Sequence, residues 1–245
     1  MSFYALIIGA SSTIAQAAIK QFESNPLCSG VLTVSRRHPN SAESDSAMSD
    51  KIHWFETDYS ESSISEVCQR LAPYAGNITK VMICNGLLHN DSMMPERKLE
   101  EIRASQLEAI FHVNTVIPML WLSQLLPVLQ GKLPTKVALF SARVGSISDN
   151  KAGGWYSYRA SKSALNMLIQ TSAIEYARRA KNVKLFSFHP GTTDTPLSKP
   201  FQRSVPDGKL FTPEYVATQL IDIMDKVPID NKAAFLDWNN QSITW

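Results

Sequence analysis

Cysteine is scarce in this chain. Three are scattered, Cys28, Cys68 and Cys84, and no CxxC pair or His/Cys cluster has metal-ligand spacing. That argues against a disulfide framework and predicts a reducing, cytoplasmic setting. An excess of one charge sign is also missing. The 24 basic and 22 acidic residues leave a net +2, so no basic field argues for nucleic acid. No apolar run approaches the roughly 18 residues that cross a bilayer. The apolar opening MSFYALIIGASS has no basic leader and reads as a buried strand rather than a signal peptide. No internal repeat is visible. What is present is the balance of a soluble globular chain: 245 residues, 44% hydrophobic and 19% charged, long enough to bury a large core.

Short apolar runs alternate with longer helical patterns. Strands are expected at 3–8, 30–35, 52–56, 79–84, 135–141, 183–188 and 233–236, and helices near 13–24, 62–73, 98–130, 155–180 and 213–226. Continuous apolar runs of this length suit parallel strands covered on both faces. The alternation predicts one doubly wound α/β domain over 1–245, with a parallel sheet of about seven strands. The polar segment 38–51 reads as a surface loop. The segment 192–210 is longer than an ordinary connection and reads as a lid over a site. Together with 87–97 it is expected to shape a substrate pocket.

The first strand runs into Gly9-Ala10-Ser11-Ser12-Thr13-Ile14-Ala15. A tight turn there, opening a helix, is where a dinucleotide pyrophosphate meets backbone N–H groups and the helix dipole. Gly9 would supply the unusual backbone angle, and the Thr13 hydroxyl could donate to a phosphate oxygen. A plain strand-turn-helix with small residues would read the same. The second strand ends Ser35-Arg36-Arg37, where an NAD site usually carries an acid for the ribose. A guanidinium can instead fork onto a ribose 2′-phosphate, which favours NADP(H) over NAD(H); the alternative is a solvated basic turn. Asp58, beside Tyr59, could accept from an adenine amino group or cap a helix.

Tyr158 and Lys162 lie four apart in a helical pattern and so share a face. A nearby ammonium lowers a phenol's pKa, and such a phenol could protonate a carbonyl as hydride arrives. Two ordinary helix-surface residues fit the same spacing.

The glycine turn, the strand alternation, "YSYRASKSALN" and "HPGTTDT" fall in one order, and with them the chain resembles the short-chain dehydrogenase/reductase family over nearly its whole length. "FSARVGSISDN" and "FLDWNNQSITW" resemble a C-factor-like subgroup. The resemblance implies Tyr158 as acid/base, Lys162 as its partner and Asn114 as the residue that orders a relay water. It implies Gly9, Ser11, Ser12, Thr13 and Ile14 at the pyrophosphate, with Asn85 and Gly86 lining the cofactor. Pro190, Gly191, Thr193 and Thr195 would meet the nicotinamide. It further implies a small carbonyl or alcohol substrate and a homodimer or homotetramer, with no membrane or nucleic-acid partner. If 98–130 is one helix, Pro118 leaves the Asn114 carbonyl without its N–H partner, open to a water. One position departs from the pattern. Ala142 takes the place of the family's carbonyl-polarising serine. Ser141 could substitute if the strand ends there, and Ser146 or Ser148 are further candidates. That departure keeps open a non-catalytic dinucleotide-binding protein, signalling or sensing redox state.

Overall fold

A computed structural model of the protein describes residues 2–37 and 49–245, so most of the expected 38–51 loop lies outside the described residues. The chain runs β1 (Phe3–Ile8), α1 (Thr13–Ser24), β2 (Cys28–Ser35), β3 (Ile52–Glu56), α2 (Glu61–Arg70) and β4 (Ile78–Ile83). It continues through α3 (Ala104–Phe111), α4 (Ile117–Leu129), β5 (Thr135–Phe140), α5 (Tyr156–Arg179) and β6 (Val183–His189). It closes with β7 (Thr192–Thr193), β8 (Leu210–Phe211), α6 (Pro213–Lys226) and β9 (Ala234–Asp237). The seven expected strands form one parallel sheet in the order β3-β2-β1-β4-β5-β6-β9. Successive strand residues face opposite sides. Leu6 and Ile8 enter the core layer that holds Trp121 and Ile169; Ala5 and Ile7 enter the layer that holds Phe22 and Leu220.

Strand order reverses direction between β1 and β4. The crevice beyond the carboxyl ends of these two strands is where such sheets bind ligands. Gly9 follows β1 there, and Asn85 follows β4.

Two expectations need correction. The 98–130 pattern is not one helix. A 3-10 turn, Leu99–Glu101, precedes α3, and a π turn, His112–Val116, separates α3 from α4. Ile117 N–H bonds five residues back to His112 O. Pro118, just beyond, has no N–H to continue a regular ladder, and inserted turns of this kind absorb such a defect. The same stretch, 104–129, is apolar and long enough to cross a bilayer by composition, contrary to the reading above. Half of its most apolar window is buried inside the protein, as a core helix requires.

Three lysines stand in register across the sheet, Lys80, Lys136 and Lys184. Lys80 pairs with Asp225, Lys136 donates to Val227 O, and Lys184 reaches Asp230 and Lys232 O. The row ties the end of α6 and its link to β9 onto three strands. Lys80 and Lys184 are buried, and buried ammonium groups persist only when paired with a carboxylate in this way.

Candidate active site

A cavity of about 830 Å³ opens at the carboxyl ends of the strands. It runs from the turn after β1 to the first turns of α5, and 192–210 forms part of its wall. The small β7–β8 pair holds that segment's two ends together.

At one end, Gly9 has φ +78°, a left-handed angle that glycine adopts at no steric cost. A Cβ there would stand 3.1 Å from Asn85 N. Ser12 caps α1, its hydroxyl accepting from Ala15 N–H at 3.3 Å. Ser11, Ser12, Thr13 and Ile14 all line the cavity beside this helix terminus. Arg36 and Arg37 are exposed just past β2. Arg36 is near enough that its charge acts on Tyr59, which also lies beside Asn85 and Gly9. Burial outweighs the lowering influence of Asn85, Arg36 and Gly9 and raises the Tyr59 pKa. Asp58 does not cap α2. Ser60 does, accepting from Ser63 N–H at 3.3 Å, while Asp58 accepts from Ser60 N–H at 2.8 Å. Neither Arg36 nor Asp58 lines the cavity proper.

At the other end, Tyr158 and Lys162 lie one turn apart on α5, 8% and 2% exposed, and both line the cavity. Lys162 Nζ donates to Phe140 O at 2.6 Å and stands 5.8 Å from the Tyr158 ring centroid. Burial pushes the Tyr158 phenol well above its usual range and brings Lys162 down to about 7. Desolvation therefore overrides the simple expectation that the ammonium depresses the tyrosine. The phenol keeps its proton, as a donor must.

Asn114 is fully buried behind this wall. Its side chain accepts from Leu87 N–H at 2.7 Å, donates to Leu87 O at 2.9 Å, and donates to Ser161 Oγ at 3.0 Å. It thereby locks the segment after β4 to the helix that carries Tyr158. Asn85, Gly86, Pro190, Gly191, Thr193 and Thr195 all line the cavity.

Among the serines, β5 ends at Phe140, so Ser141 leaves the strand. Ser141 reaches the cavity wall, but its hydroxyl donates to Asn166 Oδ1 at 2.7 Å. Ser146 and Ser148 are off the wall, their hydroxyls engaged with Asp149 N–H and with Thr244 and Trp245. Ala142 itself packs against Leu88 and Tyr158.

The residues present fit a dinucleotide. Gly9 lets the turn pack close against the end of β4, the α1 N-terminus with Ser11 to Ile14 faces the cavity as an anion site requires, and His189 Nδ1, on a residue of the far wall, is buried without a protein partner. Several contributors escaped the sequence reading. Glu96 is 2% exposed, and its carboxylate accepts from both Ser157 N–H and Ser157 Oγ. Trp155 and Phe201 line the wall with ring centroids 4.8 Å apart. One of two acids inside LLHNDSMMPER and two aromatics 46 positions apart carry no periodic signal.

A doubly wound parallel sheet with a glycine turn at its switch point and a Tyr/Lys pair in the same crevice defines a dinucleotide-binding oxidoreductase fold. The model for short chain dehydrogenases matches residues 4–205, and the chain belongs to the short-chain dehydrogenase/reductase family. It is 32% identical over 133 residues to 1-hydroxy-2-glutathionyl-2-methyl-3-butene dehydrogenase of a Rhodococcus species, covering 54% of this chain and 56% of that one. It is 27% identical to C-signal of Myxococcus xanthus, over 60% of this chain and 83% of the relative. It is 25% identical to a benzil reductase of Bacillus cereus, over 71% of each. In fold it is similar to the carbonyl reductase Sniffer of D. melanogaster, with TM-score 0.83, 17% identity and full coverage of both chains. A Burkholderia multivorans short-chain dehydrogenase/reductase with bound NADP gives TM-score 0.83 at 20% identity, again over the whole of both chains.

Proposed function

We propose that the protein is an NADP(H)-dependent reductase of a small carbonyl compound, or the dehydrogenase of its alcohol, with Tyr158 as acid/base. One observation carries this: Tyr158 and Lys162 line the same cavity as the glycine turn. Bound NADPH would supply the hydride that the carbonyl carbon receives. Tyr158, held protonated by burial, gives its proton to the carbonyl oxygen as charge builds there. Lys162 stabilises the phenolate left behind. Asn114 keeps the segment beneath Gly86 in place while this happens. Arg36, exposed past a strand that ends in Ser35 rather than an acid, supplies the cation for a ribose 2′-phosphate. The NADP in the Burkholderia neighbour agrees with that choice. A homodimer or homotetramer also follows from the resemblance. Met167 and Ile174, seven apart on α5 and 65% and 58% exposed, offer the apolar face. The buried thiols suit a reducing, cytoplasmic setting.

Tyr158→Phe tests the chemistry. It should lower turnover by about three orders of magnitude, within the ordinary worth of general acid catalysis, while NADPH still binds. Retention of most activity with an accepted substrate would overturn the mechanism. A second reading, dinucleotide binding without turnover, is favoured by Ala142 and by the commitment of the Ser141 hydroxyl to Asn166. It predicts NADPH binding and no consumption with any carbonyl.

A further inference from the structure

Among the described residues the buried apolar side chains form three clusters, and the third is separate from the two that hold the strand side chains. Leu88, Ala142 and Tyr158 form its centre, with Val144, Trp155, Leu197 and Phe201 packed against them. All seven line the cavity. They come from four separate stretches of chain and meet around the Tyr158 ring. Trp155 stands edge-on to Tyr158, with centroids 6.2 Å apart, and is tilted against Phe201. His89 closes the far side of Phe201, centroids 5.8 Å apart, its Nε2 at 3.1 Å from Leu197 O.

Two of the cations that line the cavity are already engaged. Arg143 pairs with Asp149 and Asp237 at 3.5 and 3.2 Å, and Lys162 is tied to Phe140 O. Arg203 and Lys209 also line the cavity, exposed on the 192–210 segment, whereas none of the seven cluster residues carries a charge. Apart from the Tyr158 hydroxyl and the indole N–H, the seven side chains offer no hydrogen-bonding group. A polyhydroxy or charged compound would lose its water here without replacement. Trp155 and Phe201 remain only partly buried, so a flat apolar group placed against them would gain ring contact and remove apolar surface from water.

We propose that the site selects an uncharged carbonyl compound bearing an aryl group next to the carbonyl, its ring packed against Trp155 and Phe201 while the oxygen meets Tyr158. The proposal rests on the reading of Tyr158 as proton donor, and names the substrate class of that same site.

The test compares NADPH consumption with acetophenone, benzil, cyclohexyl methyl ketone, phenylglyoxylate and a sugar aldehyde. In parallel, binding of benzil to the Tyr158→Phe protein with NADP⁺ is followed by quenching of tryptophan fluorescence. The expected result is kcat/KM at least about tenfold higher for acetophenone and benzil than for the other three. In Phe201→Ala that preference should collapse towards unity, chiefly through KM, and Trp155→Phe should retain most of it. Equal rates with cyclohexyl methyl ketone or the sugar aldehyde would overturn the aryl assignment and leave the reductase reading intact. Faster turnover of phenylglyoxylate would overturn the requirement for an uncharged substrate. No turnover of any carbonyl, with benzil quenching lost in Phe201→Ala, would uphold the ligand class and sink the reductase reading. No turnover and no quenching would overturn both.

Discussion

Replacing Glu96 by alanine should destabilise the protein more than any surface carboxylate would. Helix α5 carries Tyr158 but begins badly. Its N-cap residue is Trp155, at φ +53°, with no side-chain oxygen to serve the first N–H groups. The missing acceptor comes from 61 residues away. Glu96 Oε2 accepts from Ser157 N–H at 3.2 Å, Oε1 accepts from Ser157 Oγ, and Glu96 O accepts from Trp155 N–H. The segment around it is anchored in turn. Gln106 donates to Met94 O at 2.9 Å, and Arg97 N–H donates to Glu101 at 2.7 Å. Losing a helix cap costs about 1 kcal/mol, and leaving a buried donor unmet costs about 1–3 kcal/mol. The sum is about 2–4 kcal/mol, or a fall in Tm of roughly 5–15 °C for a chain of this size. Glu96→Gln keeps one acceptor and should lose about half as much. Thermal unfolding followed by circular dichroism measures both. A double-mutant cycle with Ser157→Ala should show coupling of about 0.5–3 kcal/mol between the two side chains. A Glu96→Ala protein that melts within about 2 °C of the parent, or a cycle with no coupling, refutes the reasoning.

Two further changes probe the site. Ala142→Ser returns a hydroxyl beside Tyr158, and an oxyanion donor of this kind is commonly worth about a hundredfold in rate. Steady-state kinetics should show kcat rising at least about tenfold with little change in NADPH affinity, whereas an unchanged kcat would mean that the hydroxyl cannot reach the carbonyl. His189 is lowered to about 4, mainly by burial and further by the Arg143 charge. The unfolded chain takes up a proton near the usual ~6.5 that the folded protein refuses until about 4. Stability should therefore fall as pH drops from 6.5 towards 4, by about 2 kcal/mol at pH 4.5. Urea unfolding at pH 7 and 4.5 should show that part of the loss disappear in His189→Asn, and an identical loss in the variant would contradict it.

The sheet was legible because each strand is a short, continuous apolar run, and a parallel strand buried on both faces requires one. Even so, Lys80, Lys136 and Lys184 interrupt three of these runs near their starts, and only the fold reveals that they share one row. The helix over 98–130 was overextended because its apolar periodicity runs on through the π turn, where one inserted residue shifts the register without changing composition. Tyr158, Lys162 and the glycine turn were legible because their spacing is local. The supports of the site were not. Glu96 acts across 61 positions, Asn114 braces Leu87 and Ser161, and Trp155 meets Phe201 only once the 192–210 segment folds back. The Tyr158–Lys162 relation was half legible: spacing put the two on one face, but burial, which sets both pKa values, depends on the third cluster and the segment above it.

The most direct test of the account is a titration of the purified protein with NADPH and with NADH, read by nicotinamide fluorescence, alongside Arg36→Ala. The account predicts saturable binding with NADPH clearly preferred, and a preference that shrinks by about tenfold or more in Arg36→Ala as one charge-assisted contact is lost. Equal binding of the two would contradict the role given to Arg36. Binding of neither would contradict the dinucleotide site itself, and with it the chemistry assigned to Tyr158 and Lys162.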